Sequence, residues 1–414
     1  MGISQACSFD SSRSHAVSRR PCVVVGITHP QTCLVLTGRL SALREAGFRV
    51  ILLSGPGALC EETAKKEGIE ASAIPMERGI SPLADVVSLF RIWRVLRRVQ
   101  PVLTEFSTPK AGLLGNLAAL LSGIPHRVYL LRGLRLETAT GLERRLLGLT
   151  ERVAAACSHA VLCNSGSLRK QTRALGLAPE RKLNLLAQGS SNGVDVERFS
   201  PGFDEVRKSL GLPKDGAVVG FVGRLTRDKG IPELLEAFEE ILKSFPAAYL
   251  LLVGWFDESE DALGADMRAR IDAHPRIVRT GFVADTAPYY RAMDVMVLPT
   301  RREGFPNVVL EAAASGIPVI TTTATGARDA VVAGMTGVLI PPGHPGAIAE
   351  AVTEVLGDPE RRARMGAAAR TWVVENFDHE RVLGLTVAFY QDLLQSAAPG
   401  RDAVFAMDAA VVTD

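Results

Sequence analysis

Short β-branched runs alternate with longer amphipathic stretches along this chain, stop once, and then start again. No other feature restricts the fold as much. In the first half CVVVGI (22–27), FRVILLSG (48–55), a run at 68–75, VLTEFS (102–107), RVYLLRG (127–133) and AVLCNS (160–165) read as strands. Residues 34–47 and 83–99 read as helices, the second stopped by Pro101. Such alternation predicts parallel β-α-β units in a doubly wound α/β sheet. Around 192–201 the pattern gives way to SNGVDVERFSP, a polar, turn-rich connection. Strands then return at 217–224, 248–254, 277–283, 295–300, 318–323 and 337–342. Helices fall at 231–245, 307–314, 345–356 and 360–376. For 414 residues, two Rossmann-like domains facing a cleft fit better than one large sheet. Ligands of such sheets bind beyond the strands' carboxyl ends. The expected division is a disordered leader (1–20), a first domain (21–198) and a second domain (199–376). A helix returning to the first domain (377–396) and a tail (397–414) complete it.

Composition narrows the class. Hydrophobic residues at 47% exclude a disordered chain, and aromatics at 6% leave a core of Ala, Val, Leu and Ile. No run approaches the roughly 18 apolar residues of a membrane span. The best candidate, 111–124, is short and carries Asn116 and Ser122. Arg13, Arg19 and Arg20 precede only a brief strand-like run, so no signal peptide is read there. Six cysteines (Cys7, Cys22, Cys33, Cys60, Cys157, Cys163) lack CxxC or zinc spacing and are expected as buried, reduced thiols of a cytoplasmic protein. The net charge of +2 hides a split, +11 over residues 1–200 and −9 over 201–414. The basic half is expected to face something anionic.

The string richest in chemistry is Glu303-Gly-Phe-Pro-Asn-Val-Val-Leu-Glu311, between a strand ending VLPT and a helix. Backbone N–H groups and the helix dipole make an anion site at 304–308. A carboxylate at each end accepts hydrogen bonds from sugar hydroxyls. Earlier, Gly223 ends the strand GFVG, and Arg224 and Lys229 flank the loop before the next helix. Two cations in a polar loop are by themselves commonly plain surface charges, and their place after a strand is also compatible with a phosphate clamp.

EGFPNVVLEAAASGIPVITTTATGARDAVVAGMTGVLIPPG, FVGRLTRDKGIPELLEAF, AMDVMVLPT and NGVDVERFSP together resemble the family 4 retaining glycosyltransferases. RVYLLRGLRLE resembles the family's capsule and exopolysaccharide branch, which adds sugars to lipid-linked oligosaccharides. The resemblance covers about 21–395 and implies the GT-B fold, two facing Rossmann-like domains. It further implies that Arg224 and Lys229 clamp a donor diphosphate and that Glu311 holds the nucleotide ribose. By the same resemblance Glu303 would contact the donor sugar, with main-chain groups from Gly304, Phe305, Pro306, Asn307 and Val308. Gly281, Phe282 and Val283 would lie beside the base. The loop after the first strand, with Thr32 and Gly38, would receive the acceptor together with Arg132 and Gly133.

One position departs from the family. Where many members carry a His-Gly pair, this chain has Arg132-Gly133. An arginine does not deprotonate, so it is assigned to donor or acceptor phosphate and not to base catalysis. No Asp-x-Asp occurs, and fixed cations with helix N-termini would neutralise the leaving diphosphate, so no metal or other cofactor is expected. The implied reaction is transfer from a UDP-type sugar nucleotide to a carbohydrate, lipid-linked acceptor with retention, Glu303, Arg224, Lys229 and Arg132 carrying the chemistry. A nucleotide-sugar epimerase of the same fold and a non-catalytic sugar-nucleotide-binding protein remain alternatives. The helix LADVVSLFRIWRVLRRV carries Arg91, Arg94, Arg97 and Arg98, and Arg144 and Arg145 add a second basic patch. This helix either covers the sheet with a charged outer side or lies on an anionic membrane. Nucleic acid is not an expected partner, because no aromatic stacking pattern accompanies the arginines.

Overall fold

The structure, a computed structural model, describes residues 20–396 except 78, 80, 203, 204, 259 and 260. The expected leader and tail, and Cys7, lie outside the described residues. The first sheet holds β1 (Cys22–Gly26), β2 (Arg49–Ser54), β3 (Glu70–Ala73), β4 (Leu103–Ser107), β5 (His126–Leu131), β6 (Ala160–Cys163) and β7 (Leu183–Asn184). Its order is β3-β2-β1-β4-β5-β6-β7, all parallel, with the chain reversing at β1 and β4. The second sheet holds β8 (Val218–Val222), β9 (Tyr249–Val253), β10 (Ile277–Arg279), β11 (Val295–Leu298), β12 (Val319–Thr322) and β13 (Gly337–Ile340). Its order, β10-β9-β8-β11-β12-β13, repeats the same switch at β8 and β11. A ligand crevice therefore opens at the carboxyl end of each sheet.

Helices α1 (Arg39–Glu45), α2 (Ala58–Glu67), α3 (Pro82–Val99), α4 (Pro109–Leu121), α5 (Gly141–Cys157) and α6 (Gly166–Ala174) belong to the first sheet. To the second belong α7 (Val206–Ser209), α8 (Ile231–Ser244), α9 (Ala265–Ala273), α10 (Ala287–Tyr290), α11 (Asn307–Ala314), α12 (Pro345–Gly357) and α13 (Pro359–Phe377). The last helix is α14 (His379–Gln395). Strand parity decides which helices cover which face. Val23, Val25, Leu52 and Leu130 pack with Leu36, Leu40, Leu43, Phe389 and Tyr390, which places α1 and α14 on one side. Val24, Ile51, Leu53 and Phe106 point the other way, against Ile92 and Leu96 of α3 and Leu114 and Ala118 of α4. Tyr129 and Val161 meet Ala154 and Ala155 of α5 and Leu168 of α6 on that second side.

One expectation changes here. The single helix expected at 34–47 is a 3₁₀ turn, Pro30–Leu36, followed by α1, because Thr37 is extended and Gly38 is left-handed (φ 76°). The run at 111–124 is a buried helix, α4, not a span. A Cβ at its Gly112 or Gly115 would run into the Tyr129 or Phe106 ring, so the missing side chains let it sink between α3 and α5. Among the described residues no helix is long and apolar enough to cross a membrane. The five described cysteines are buried and free.

Glu151 of α5 is buried and accepts the Tyr129 hydroxyl (2.7 Å). Burial raises its pKa from 4.5 to about 7, against the lowering effect of that bond. A raised carboxylate pKa means that the folded chain holds a proton which the unfolded chain releases. The contribution of Glu151 to stability is fullest below about pH 4.5 and declines up to about pH 7, by about 3 kcal/mol at most. Glu151→Gln is expected to keep the Tyr129 bond and to raise the melting temperature at pH 8 but not at pH 5. Thermal denaturation across pH 5–8 reads this directly.

Candidate active site

The cleft is built from loops at the carboxyl ends of both sheets. After β8 the chain turns at Gly223, and Arg224 and Lys229 follow before α8. Arg224 Nη1 bonds Asp257 Oδ2 at 2.6 Å, and Lys229 Nζ bonds Glu303 Oε1 across the loops after β8 and β11. Both members of the second pair are largely buried, at 18% and 13% side-chain exposure. Arg224 is more open, at 35%. Lys229 and Glu303, 74 positions apart, thus form one unit beside the N-terminus of α11. Pro306 caps that helix, and Asn307 and Val308 form its first turn, where amides have no helical acceptor. The Phe305 side chain leaves the cleft for the core and packs on Phe377 at 5.2 Å between ring centres.

Glu311 lies one turn into α11. Its Oε2 accepts from Tyr290 Oη (2.7 Å) and Thr286 Oγ1 (3.4 Å). Burial raises its pKa, and the Tyr290 bond opposes the rise. Tyr290 and Thr286 therefore orient the carboxylate expected to hold a ribose. The strand expected at 277–283 stops at Arg279, and Gly281 is left-handed (φ 73°), so Gly281, Phe282 and Val283 form a loop. Phe282 is exposed and meets the Trp255 indole edge-on at 5.4 Å.

In the first domain β5 ends at Leu131, and Arg132-Gly133 follows at its tip. Arg132 Nη1 donates to Ser191 Oγ (2.9 Å), while Nε and Nη2 have no partner among the described residues. Burial and then the nearby Arg39 lower its pKa to about 10, so it stays charged at neutral pH. Behind it stands an ion pair with no exposure, Arg39–Glu105. Burial lowers the Arg39 pKa, but Glu105 and Tyr390 more than reverse that. Arg39 also donates to Ser191 O (2.7 Å) and Thr386 Oγ1 (3.2 Å), and Tyr390 Oη donates to Glu105. The network ties the first sheet, the interdomain connection and α14 together.

The two domains touch at backbone distance. A Cβ on Gly304 would enter the carbonyl oxygen of Arg132 and stand 3.0 Å from Gly133 N. Gly326 (φ 76°) closes on Gly304 O from the other side. Thr325 Oγ1 donates to Glu137 Oε1 (2.6 Å), and Gly326 N donates to Ser167 Oγ (2.8 Å). The structure thus brings Arg132 and Gly133 against the Glu303–Gly304 loop. Gly38 is placed otherwise: its amide donates to Glu67 Oε1 (2.8 Å), and a Cβ there would meet the His379 ring. It packs under α14. Thr32 sits in the 3₁₀ turn after β1, its amide bonded to His29 O.

Sequence reasoning did not single out Asp257, Thr286, Tyr290, Trp255, Ser191 or the Arg39–Glu105 pair. Asp257 had a visible cue, since it follows Gly254 in the loop after β9, beside the loop that carries Arg224. The others are defined only by strand order.

Two Rossmann-like domains that meet over basic loop residues, a helix N-terminus and buried carboxylates have the architecture of a GT-B glycosyltransferase. The profile of the group 1 glycosyl transferases matches residues 216–358, and that of the glycosyl transferase 4-like domain matches 36–189. The capsular polysaccharide biosynthesis glycosyltransferase CapM of Staphylococcus aureus is 33% identical over 372 residues, 90% of this chain and 97% of CapM. The chain belongs to the family 4 glycosyltransferases. An Escherichia coli UDP-Gal:α-D-GlcNAc-diphosphoundecaprenol α-1,3-galactosyltransferase is 27% identical over 267 residues, 63% of this chain and 68% of the relative. In fold, the chain resembles Anabaena HepE, solved with UDP and glucose, at a TM-score of 0.72 and 19% identity over 90% of this chain and 99% of that one.

Proposed function

We propose that this glycosyltransferase moves a sugar from a UDP-type nucleotide diphosphate donor to a lipid-linked saccharide, with retention, in capsular or related surface-polysaccharide assembly. The observation that carries the reading is the Lys229–Glu303 pair at the N-terminus of α11, on whose loop the Arg132–Gly133 backbone closes from the first domain. The Escherichia coli relative, a transferase from UDP-Gal to a diphosphoundecaprenol-linked sugar, supports the donor and acceptor classes, and CapM supports capsular polysaccharide as the destination. Arg224, Lys229 and the first-turn amides of α11 stabilise charge as it moves onto the leaving diphosphate, and the sugar becomes oxocarbenium-like. Lys229 also holds Glu303 toward the sugar hydroxyls. Arg132, with two free N–H-bearing nitrogens, stabilises phosphate and accepts no proton. The departing phosphate oxygen takes the acceptor proton. These fixed cations do the neutralising that a divalent metal would otherwise do. The test is transfer of labelled sugar from a panel of UDP-sugars into an organic-extractable product. Activity is expected with one donor and is expected to persist in EDTA; loss in EDTA restored by magnesium would overturn the metal-free part.

The reaction is placed at an anionic membrane surface. Among the described residues nine of fourteen exposed large hydrophobics lie on α3, α4 and α5, the helix layer of one face of the first domain. The outer side of α3 is apolar in its first half (Leu83, Val86, Val87, Phe90) and basic in its second (Arg91, Arg94, Arg97). On α5, Leu142, Leu146 and Leu149 share one stripe. An apolar belt flanked by arginines suits the boundary of an anionic bilayer. The wild-type chain is expected to co-sediment with phosphatidylglycerol vesicles at low salt, and Phe90→Asp with Leu142→Asp to abolish this. Equal sedimentation of both would contradict the placement.

A further inference from the structure

A recess of about 220 Å³ opens between α6 of the first domain and the turn after β12 of the second. Lys170 and Gln171 line it from α6, and Thr323 and Arg328 from the opposite wall. None of these four side chains has a partner among the described residues. No carboxylate lines the recess, and Asp329 beside it accepts the Ser167 amide (3.1 Å) and hydroxyl. The contrast with the donor loops is sharp: Arg224 and Lys229 each already face a carboxylate. Two cations without counter-ions, brought together from two domains and completed by an amide and a hydroxyl, make a site for a multiply charged anion.

We propose that this recess binds the diphosphate of the acceptor. The proposal rests on the reading that the chain transfers sugar to a lipid-linked saccharide. Size favours a head group over an oligosaccharide, since pockets for larger organic ligands run to roughly 300–1,000 Å³. Position gives the anchored acceptor its direction. Thr325, another lining residue, accepts the Glu303 amide through its carbonyl (3.1 Å), so the recess shares a wall with the sugar-contacting loop. On the other side α6 packs in the same layer as α5, whose Leu142, Leu146 and Leu149 face outward. A lipid leaving the recess meets that apolar stripe, and the sugar on the far side of the diphosphate meets Glu303 and Gly304.

Calorimetry with geranyl diphosphate, geraniol and inorganic pyrophosphate, each added to the full chain saturated with UDP, tests this. Lys170 and Arg328 are exposed, so the Lys170→Gln/Arg328→Gln variant is expected to fold. Wild type is expected to bind geranyl diphosphate and not geraniol. The double variant is expected to weaken that binding at least about tenfold with UDP affinity unchanged. Lys170→Arg alone is expected to retain it. No binding of geranyl diphosphate by chain that binds UDP, or equal affinity in the double variant, overturns the proposal. Pyrophosphate binding as tightly as geranyl diphosphate would assign the site to free diphosphate and overturn its acceptor role. Failure to bind UDP would instead sink the donor reading.

Discussion

Gly304→Ala is expected to lower kcat by at least about a hundredfold while nucleotide affinity stays within a few fold. The added methyl group has no free volume, because it would enter the carbonyl oxygen of Arg132 and crowd Gly133 N. Both obstacles are backbone of the other domain, so no rotamer change relieves them. The variant relieves the clash by holding the domains apart, which leaves the second domain's cations and α11 intact for nucleotide. What it loses is the shut cleft, in which the Arg132–Gly133 backbone packs on the Glu303–Gly304 loop. A merely destabilising effect would lower the melting temperature and both kinetic constants together. Stopped-time kinetics with a nucleotide titration separate these results.

Lys229→Ala is expected to reduce kcat/KM by about a thousandfold, more than Arg224→Ala. Lys229 is deeper and has two tasks, neutralising the diphosphate and pairing Glu303. Its loss leaves a largely buried carboxylate uncompensated where a diphosphate must sit, which repels donor as well as failing to attract it. Adding Glu303→Gln to Lys229→Ala is expected to restore part of the nucleotide affinity but no turnover, because the sugar contact is then gone too. A double-mutant cycle with separate binding and turnover readings measures that coupling. Additive losses in both would mean that the two residues do not act as one unit.

The second domain was legible because local signals and tertiary roles coincide there. VLPT, a Gly-Phe-Pro turn and an apolar helix follow one another, so Glu303 and Glu311 could be placed on loop and helix from spacing alone. The first domain hid more. Arg39 lies 66 positions from Glu105, and only the adjacency of β1 and β4 brings their elements together. Nothing in either local sequence announces a buried charge. The packing at Gly38 has no local signal, because its partner, His379, arrives from the far end of the chain. The glycines of α4 argue against a helix by propensity, yet Tyr129 and Phe106 occupy the space that side chains would take. The basic helix α3 was visible, but the apolar half of its outer face could be told from a core face only once Ser88, Ile92 and Leu96 were seen to point inward.

Arg224, Lys229 and Glu311 are proposed to bind a nucleotide diphosphate sugar in the cleft between the two domains. Calorimetric titration of UDP and UDP-sugars into wild type and into the Arg224→Ala, Lys229→Ala and Glu311→Ala variants tests this most directly. Saturable binding to wild type is expected, with a clear loss for Glu311→Ala and a larger one for either cation variant. Unchanged affinity in all three variants would contradict the proposal.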